Sequence, residues 1–363
     1  MAILPNKKKA YQSYALLPPA FIPDELISEI LSFLTVKTIV RLKCVSKSWN
    51  TLISDQTFVQ KHFNVSSQNP HLALFWHQPE SCNFNVVPYP VYRVLKNPSI
   101  NLIQPINYQC QLVGSCNGLL CLRNYSNGSS EFSLWNPATR KISKNLGWMW
   151  IPYRNHELGY FDFTFGYDAS TRDYKVVAFR GNVNEGSWKS EVKVFSVGDN
   201  CWRNIQSFPV VVLFNRFDAR HLTTETYKQF LMPPGFDDEE VPLFKPVLRV
   251  LMDCLCFSHD SNKTEFVFWQ MKQYGVQESW TQLFKISYPN LQMHNIDCSF
   301  QLACLYVNGD MVIFASHLWR LKLRDQAFIY NLKDKTVERI KCRNSIKWFY
   351  NAKDYVESLV SVL

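Results

Sequence analysis

The chain divides into two parts that differ in the spacing of their apolar residues. Between residues 24 and 62, apolar side chains recur at steps near 3.6, which is the spacing of one face of an α-helix. From about residue 70 the period changes to two, and turn-forming residues separate short runs, as in β-hairpins. The pattern therefore predicts a small helical unit followed by a much longer β domain.

Three helices are predicted in the first part. Pro23 stands where a first-turn proline is tolerated, and the acidic residues after it suit the positive end of a helix dipole. A second short helix is expected over residues 37–45, and Ser46 can cap a third helix that carries Trp49. Three short helices bury little among themselves, so we expect their apolar surplus to pack against the rest of the chain or another protein.

In the second part, a hairpin with an aromatic or aliphatic anchor recurs. Taking Leu134, Val194, Phe268 and Phe328 as equivalent positions, the spacings are 60, 74 and 60 residues. Long periods built from hairpins are typical of propeller blades. Residues 168–173 are predicted to form a turn between two strands. A β-propeller or a related closed sheet is the expected architecture.

Composition and charge exclude several classes of protein. The 363 residues are 47% hydrophobic and 19% charged, which excludes an intrinsically disordered chain. A net charge of +9 spread over this length is no nucleic-acid signature. We find no signal-peptide pattern at the start and no apolar run of membrane-spanning length. The sequence thus predicts a soluble protein of the cytoplasm, the nucleus or both, without nucleic-acid or membrane partners.

Nothing in the sequence indicates a catalytic or metal site. The eleven cysteines form no Cys-x-x-Cys pair, so reduced, buried thiols are expected and zinc is not. The eight histidines are scattered, and no nucleophile motif or phosphate-binding loop is present. A propeller enzyme would need converging ligands that sequence cannot place. The expectation is a protein without cofactor, metal or catalytic residues.

Two ordered series of motifs resemble those of a known family of plant proteins. Residues 18–62, with the stretches 23–27 and 41–49 and the pair Val36 and Lys37, resemble the plant F-box. The remainder resembles the F-box-associated, kelch-like domain of plants. The motifs that carry this second resemblance are residues 114–121, 135–140, 165–168, 173–177, 274–280 and 355–359.

The resemblance implies a domain organisation and a role. The expected divisions are a flexible tail over residues 1–17, a three-helix F-box over 18–63, a connecting segment with the first strands over 64–109, and the kelch-like β domain over 110–363. Proteins of this kind are substrate receptors of Skp–cullin–F-box ubiquitin ligases. The F-box holds a Skp-type adaptor and, through it, cullin, while the β domain selects a target protein. The receptor subunit itself is non-catalytic.

The expected adaptor-binding residues are the apolar positions of the three helices. An apolar helical face packed into a partner's groove would remove this surplus from water, and a tryptophan is a favoured anchor. About half of these positions are expected to lie in the unit's own core instead. The candidates are Pro23, Leu26, Ile27, Ile30, Leu31, Leu34, Val36, Ile39, Val40, Leu42, Val45, Trp49, Leu52 and Ile53. The basic residues that would rim the contact and favour an acidic adaptor are Lys37, Arg41, Lys43 and Lys47.

Two departures from the family pattern bear on these expectations. Thr35 stands where the family usually has proline, a loop change with a small expected effect. Only residues 207–226 follow the Trp202 hairpin before the next motif, where the family usually has a further strand pair. The expected propeller is therefore either complete or short of one strand pair. This leaves open an F-box protein acting outside ubiquitination, or a decayed copy that binds the adaptor without a productive substrate.

Overall fold

The chain begins with helices and continues almost entirely as strands. The computed structural model describes residues 22–78, 83–100, 106–108, 110–151, 161–184, 187–205, 232–234, 236, 246–251, 254–262, 264–292, 300–318, 326–342 and 348–362. The α-helices are α1 (Asp24–Ser32), α2 (Val36–Leu42), α3 (Lys47–Ser54), α4 (Gln56–Ser66) and α5 (Val91–Lys96). Two short 3₁₀ turns cover Gln277–Ser279 and Tyr288–Leu291.

Five antiparallel sheets of four or five strands follow the helices, and we number them as blades 1 to 5. Blade 1 contains β1 (His71–Gln78), β2 (Asn83–Pro90), β4 (Ile106–Tyr108) and β23 (Trp348–Tyr355). Blade 2 contains β5 (Gln111–Cys116), β6 (Leu119–Ser126), β7 (Ser129–Asn136), β8 (Lys141–Ile142) and β9 (Leu146–Trp150). Blade 3 contains β10 (Asp162–Asp168), β11 (Asp173–Asn184), β12 (Ser187–Ser196) and β13 (Cys201–Ile205).

The last two blades repeat the same strand order. Blade 4 contains β14 (Val247–Leu251), β15 (Cys254–Ser261), β16 (Glu265–Met271) and β17 (Trp280–Ser287). Blade 5 contains β18 (Phe300–Asn308), β19 (Met311–Leu318), β20 (Gln326–Asn331) and β21 (Thr336–Arg339). Outside the blades, β3 (Ser99–Ile100) pairs in parallel with β22 (Lys341–Cys342). The prediction of helices followed by a β-propeller is therefore confirmed, with five blades.

Blade 1 joins the two ends of the β domain. Its strand order is β23-β1-β2-β4, so the last strand of the chain pairs antiparallel with the first, with His71 opposite Tyr355. This pairing satisfies backbone groups along one edge of β1 and one edge of β23, which would otherwise be exposed. Residues 64–109 hold α5 and β1 to β4, and blade 1 is complete only with β23.

The predicted repeat positions are equivalent in the structure. Leu134, Val194, Phe268 and Phe328 lie on β7, β12, β16 and β20, which are the third strands of blades 2 to 5. All four side chains are buried. The predicted turn also lies between β10 and β11, where Arg172 has a φ of +54°. The recurring hairpin thus located blades 2 to 5, whereas blade 1, which takes its strands from both ends of the β domain, was not among the predicted copies.

The core lies between the blades. Strand alternation gives each blade two apolar faces, and each face packs against a neighbouring blade. One cluster joins blades 1 and 5 through residues such as Leu74 and Ile313, and another joins blades 2 and 3 through Phe132 and Phe195. Blades 1 and 2 meet at Trp135, whose indole is fully buried. These clusters hold neighbouring blades together.

One element of the helical unit was not predicted, and one expectation cannot be compared with the structure. The F-box was expected to contain three helices, but α4 follows them and extends to Ser66. Asp55 caps α4, and Phe58 and His62 face inward at helical spacing, a signal that the sequence carries. The apparent deletion at residues 207–226 lies outside the described residues. The five described blades give no sign of an incomplete sheet.

Candidate functional site

The helical unit forms because each of its helices begins at a suitable residue. Thr35 caps α2 with its hydroxyl 3.4 Å from the Thr38 backbone nitrogen, so the residue that departs from the family pattern has a local role. Ser46 caps α3, as predicted, by accepting from the Trp49 nitrogen at 3.1 Å. Asp55 does the same for α4. These caps divide 45 residues into short helices with sharp turns between them.

The inner face of the unit is its own core. Leu31, Val36, Ile39 and Ile53 are almost completely buried and pack with Phe58 of α4. The predicted candidates that lie half-buried against this core are Ile27, Leu34, Leu42, Trp49 and Leu52. Nine of the fourteen predicted adaptor-binding residues therefore contact their own helices, more than the half that was expected.

A buried histidine ties α4 to the turn between α1 and α2. His62 is buried, and its Nε2 lies 2.8 Å from the Leu34 carbonyl oxygen while Nδ1 lies 3.3 Å from the Ser66 hydroxyl. Burial lowers the pKa of His62, because the imidazolium form would lose its hydration. The side chain therefore acts here as a neutral structural group.

The outer face of the unit is apolar and exposed. Leu26, Ile30 and Phe33 lie along α1 and its C-terminal cap at steps of four and three residues, and they are 56%, 61% and 69% exposed. This spacing places them in one stripe on the helix surface. Val40 and Val45 are exposed on α2 and the turn after it. Phe33 was not among the predicted site residues, although its spacing from Ile30 could have indicated it.

Charged residues surround this apolar surface. Lys37, Arg41 and Lys47 are exposed, as expected for a basic rim. Lys43 is half-buried and donates from Nζ to the Ser54 hydroxyl at 2.9 Å. Burial, and to a smaller extent the charge of Lys141 on blade 2, lowers the pKa of Lys43. Three of the four basic residues are thus free to face a partner, whereas Lys43 lies toward the propeller.

The helical unit is attached to the propeller by the end of the chain. Residues 356–362, which we call the C-terminal segment, run from β23 past blade 2, and Leu359 enters the core of the helices together with Ala138 of blade 2. Because Leu359 is buried among helix residues, the helical core is completed by residues more than 290 positions further along the chain.

One side chain on blade 2 holds the C-terminal segment in place. Asn136 donates from Nδ2 to the backbone oxygens of Ser358 and Val360, at 3.0 and 2.8 Å. Its Oδ1 accepts from the backbone nitrogens of Ala138 and Thr139. All hydrogen-bonding capacity of the Asn136 amide is thereby used in a buried setting. The motif at residues 135–140 therefore anchors the C-terminal segment beside the helices.

The described part of the chain gives little support for a metal site or a reactive thiol. Within it, no group of three or more histidine, cysteine or acidic side chains is placed to hold a metal ion. The nine cysteines it contains are free thiols, and burial raises the pKa of Cys110 and of Cys342 to about 12. Such thiols are poor nucleophiles and poor metal ligands. No helix in these same ranges is long and apolar enough to cross a membrane.

The fold is a helical unit with an exposed apolar face joined to a β-propeller. Residues 21–61 match the F-box domain, and residues 56–216 match the F-box associated beta propeller domain. The chain therefore carries an N-terminal F-box domain followed by an F-box-associated propeller domain. The predicted relation to kelch repeats remains a prediction.

Relatives in plants are named for an F-box. An F-box/kelch-repeat protein of Arabidopsis thaliana is 26% identical over 378 residues, covering 94% of this chain and 96% of the relative. The Arabidopsis thaliana F-box protein CPR1 is 25% identical over 319 residues, covering 74% of each chain. The chain is thus similar to these plant F-box proteins over most of its length.

Solved structures are more distant. An acylaminoacyl peptidase in complex with a chloromethyl ketone shares 9% sequence identity and covers 77% of this chain, with a TM-score of 0.27. This chain spans only 40% of that peptidase. A likeness this weak supports no conclusion about activity.

Proposed function

We propose that this chain is the substrate-recognition subunit of a Skp–cullin–F-box ubiquitin ligase. In this proposal the F-box binds the Skp-type adaptor and through it cullin, and the propeller binds the protein to be ubiquitinated. The observation that carries the proposal is the exposed apolar stripe of Leu26, Ile30 and Phe33 on an F-box. The plant F-box relatives support the same role.

The stripe is suited to a helix-in-groove contact. Fully burying one large aliphatic or aromatic side chain contributes about 1.5–3 kcal/mol, so covering the exposed 56–69% of these three side chains supplies about 3–6 kcal/mol before ordering costs. Apolar side chains that stay uncovered along one helical face commonly mark a protein interface. The exposed basic residues Lys37, Arg41 and Lys47 favour an adaptor with an acidic surface.

The proposal assigns no catalytic step to the chain and places it in the cytoplasm, the nucleus or both. Specificity in such receptors lies in surface side chains that vary on a fixed scaffold. The alternative, an F-box protein acting outside ubiquitination or a decayed copy, was suggested by the apparent deletion. That deletion lies outside the described residues, and within them the pairing of β23 with β1 supports a closed propeller.

The proposal predicts that charge placed in the stripe abolishes adaptor binding. In full-length chain carrying both Ile30→Asp and Phe33→Asp, affinity for a purified Skp-type adaptor should fall at least about a hundredfold. Two buried, unpaired carboxylates would cost several kcal/mol, and each 1.4 kcal/mol corresponds to tenfold. Binding can be measured by calorimetry. Both side chains are exposed in the free protein, so its stability should fall only by the about 0.3–1 kcal/mol that each carboxylate costs at the C-terminal end of a helix.

The control is Tyr92→Asp, which places one carboxylate at an exposed aromatic residue of α5, outside the F-box. It should leave adaptor binding unchanged. Leu31 is unsuitable for this test, because it is buried in the helical core and Leu31→Asp would unfold the unit. Wild-type affinity in the doubly substituted chain would refute the proposed role of the stripe.

A further inference from the structure

Two tryptophans are exposed on the outer strand of blade 2. Along β9, Gly147 and Met149 are buried, whereas Trp148 and Trp150 are 60% and 57% exposed. Because side chains alternate along a strand, both indoles lie on one face. Tryptophan is enriched in the centres of protein interfaces, and two exposed on one short strand are unusual for a surface without a partner.

These tryptophans lie at the end of the propeller that is remote from the F-box. Strand β7 runs from Ser129, which is opposite Trp150, to Asn136, which holds the C-terminal segment beside the helices. Seven steps along an extended strand span about 24 Å. A protein docked on the tryptophan face would therefore leave the outer face of the F-box accessible to the adaptor.

Within the described ranges, the strand has an unpaired edge beside the indoles. Its beginning is tied to blade 3, since the Trp202 indole nitrogen donates to the Gly147 carbonyl oxygen at 2.8 Å. Beyond that point, among the strands that the structure describes, β9 pairs only with β7. The ring of Trp150 is also fixed, because it covers Gly128 so closely that a Cβ there would lie 3.3 Å from the ring. An extended segment could thus add to a rigid edge.

A carboxylate lies next to the strand. Glu131 follows Ser130, which pairs with Met149, and precedes Phe132, which pairs with Leu146, so it lies opposite Gly147 and Trp148, where the register shifts. Asn145 donates from Nδ2 to Glu131 Oε2 at 2.6 Å, which fixes the carboxylate in position. The guanidinium of Arg123 lies on the opposite face of the sheet, 4.4 Å from the centre of the Phe163 ring. Indole faces next to a carboxylate are a favourable environment for a cationic side chain.

We propose that the face of β9 formed by Trp148, Trp150 and Glu131 docks an extended segment of the target protein that carries an arginine or a lysine. This inference names the substrate class for the receptor proposed above, and it rests on that function. The indoles bind the cationic side chain and its alkyl stem, Glu131 supplies the opposite charge, and the edge of β9 pairs with the backbone of the segment.

A selection from phage-displayed random nonapeptides on the immobilised full-length chain tests this inference. Wild-type protein should enrich peptides with a basic residue at one fixed position. A synthetic peptide from that set should bind at least about tenfold more weakly to Trp148→Ala and to Trp150→Ala. The Glu131→Lys chain should instead enrich peptides with an acidic residue at the same position. All three variants should melt at nearly the wild-type temperature.

The control variant is Val276→Ala, which removes an exposed apolar side chain near blade 4 and should retain peptide binding. Enrichment without a basic residue, no enrichment at all, or wild-type affinity in the tryptophan variants would overturn the inference. Adaptor binding is measured on the same proteins and should be unchanged. If wild-type chain selected basic peptides through the tryptophans but did not bind an adaptor, the ligase role would fail while the docking face would stand.

Discussion

Replacing Gly118 by alanine should displace the C-terminal segment and destabilise the whole protein. Gly118 has a φ of +76°, and a Cβ there would lie 2.1 Å from the Cβ of Ser358 and 2.8 Å from the Val356 backbone oxygen. Backbone strain of this kind costs about 1–3 kcal/mol, and overpacking adds about 1–3 kcal/mol. The loss in the free energy of unfolding should therefore reach about 2–6 kcal/mol by denaturant titration.

Gly309→Ala separates the two contributions. Gly309 also has a positive φ, +55°, but no atom lies within 4 Å of its added Cβ. In this control only the backbone strain applies, so the free energy of unfolding should fall by about 1–3 kcal/mol. An equal loss in the two variants would show that Ser358 does not pack tightly against Gly118.

The same substitution should loosen the F-box, which lies at the other end of the sequence. Leu359 follows Ser358 and is buried in the helical core, so a displaced segment withdraws it from the helices. Amide hydrogen exchange in α3 and α4 should become faster in Gly118→Ala and stay unchanged in Gly309→Ala. Unchanged exchange in both variants would mean that the helical unit is stable without the segment.

Lys175→Met should be the most damaging single change on blade 3. Lys175 Nζ lies 2.8 Å from Asp168 Oδ2, with the two side chains 3% and 0% exposed. Removing one member of a buried ion pair leaves the other charge uncompensated and costs about 3–5 kcal/mol. Lys285→Met breaks the half-exposed pair with Glu265 and should cost about 1 kcal/mol or less. Similar losses of stability in the two variants would show that the buried pair of Lys175 and Asp168 matters no more than the exposed pair.

The effect of Lys175→Met should depend on pH in a defined direction. Burial opposes ionisation of Asp168, but hydrogen bonds from Lys175, Thr171 and Ser170 outweigh it and hold the pKa of this carboxyl well below its ordinary value. The stability that this group contributes is present above pH about 4 and is lost as the pH falls further. Without Lys175 the folded-state pKa rises, so the difference between wild type and variant should be largest near neutral pH and shrink in acid.

The local features of the fold were predictable, whereas pairings between distant residues were not. Apolar periodicity located α1 to α3 and the third strands of four blades, because these signals lie within short windows. The pairing of β1 with β23 and the burial of Leu359 among the helices bring together residues almost 300 positions apart. No spacing rule within the sequence contains that information.

The residues of the candidate site were also only partly predictable from the sequence. A helical pattern identifies apolar positions but does not say which stripe faces the chain's own core, so Leu31 and Ile30 looked alike in the sequence. In the structure they differ completely, since Leu31 is buried and Ile30 is exposed. Trp148 and Trp150 escaped notice because every residue of β9 is apolar or glycine, which leaves no alternation to read.

Completion of blade 1 by β23 has a consequence for synthesis of the protein. Strand β1 emerges from the ribosome early, but its partner β23 follows about 280 residues later. Until β23 and Leu359 have been made, β1 has an open edge and the helical core lacks one of its buried side chains. A chain in this state exposes an unpaired strand edge and apolar helix surface at the same time, and both favour aggregation.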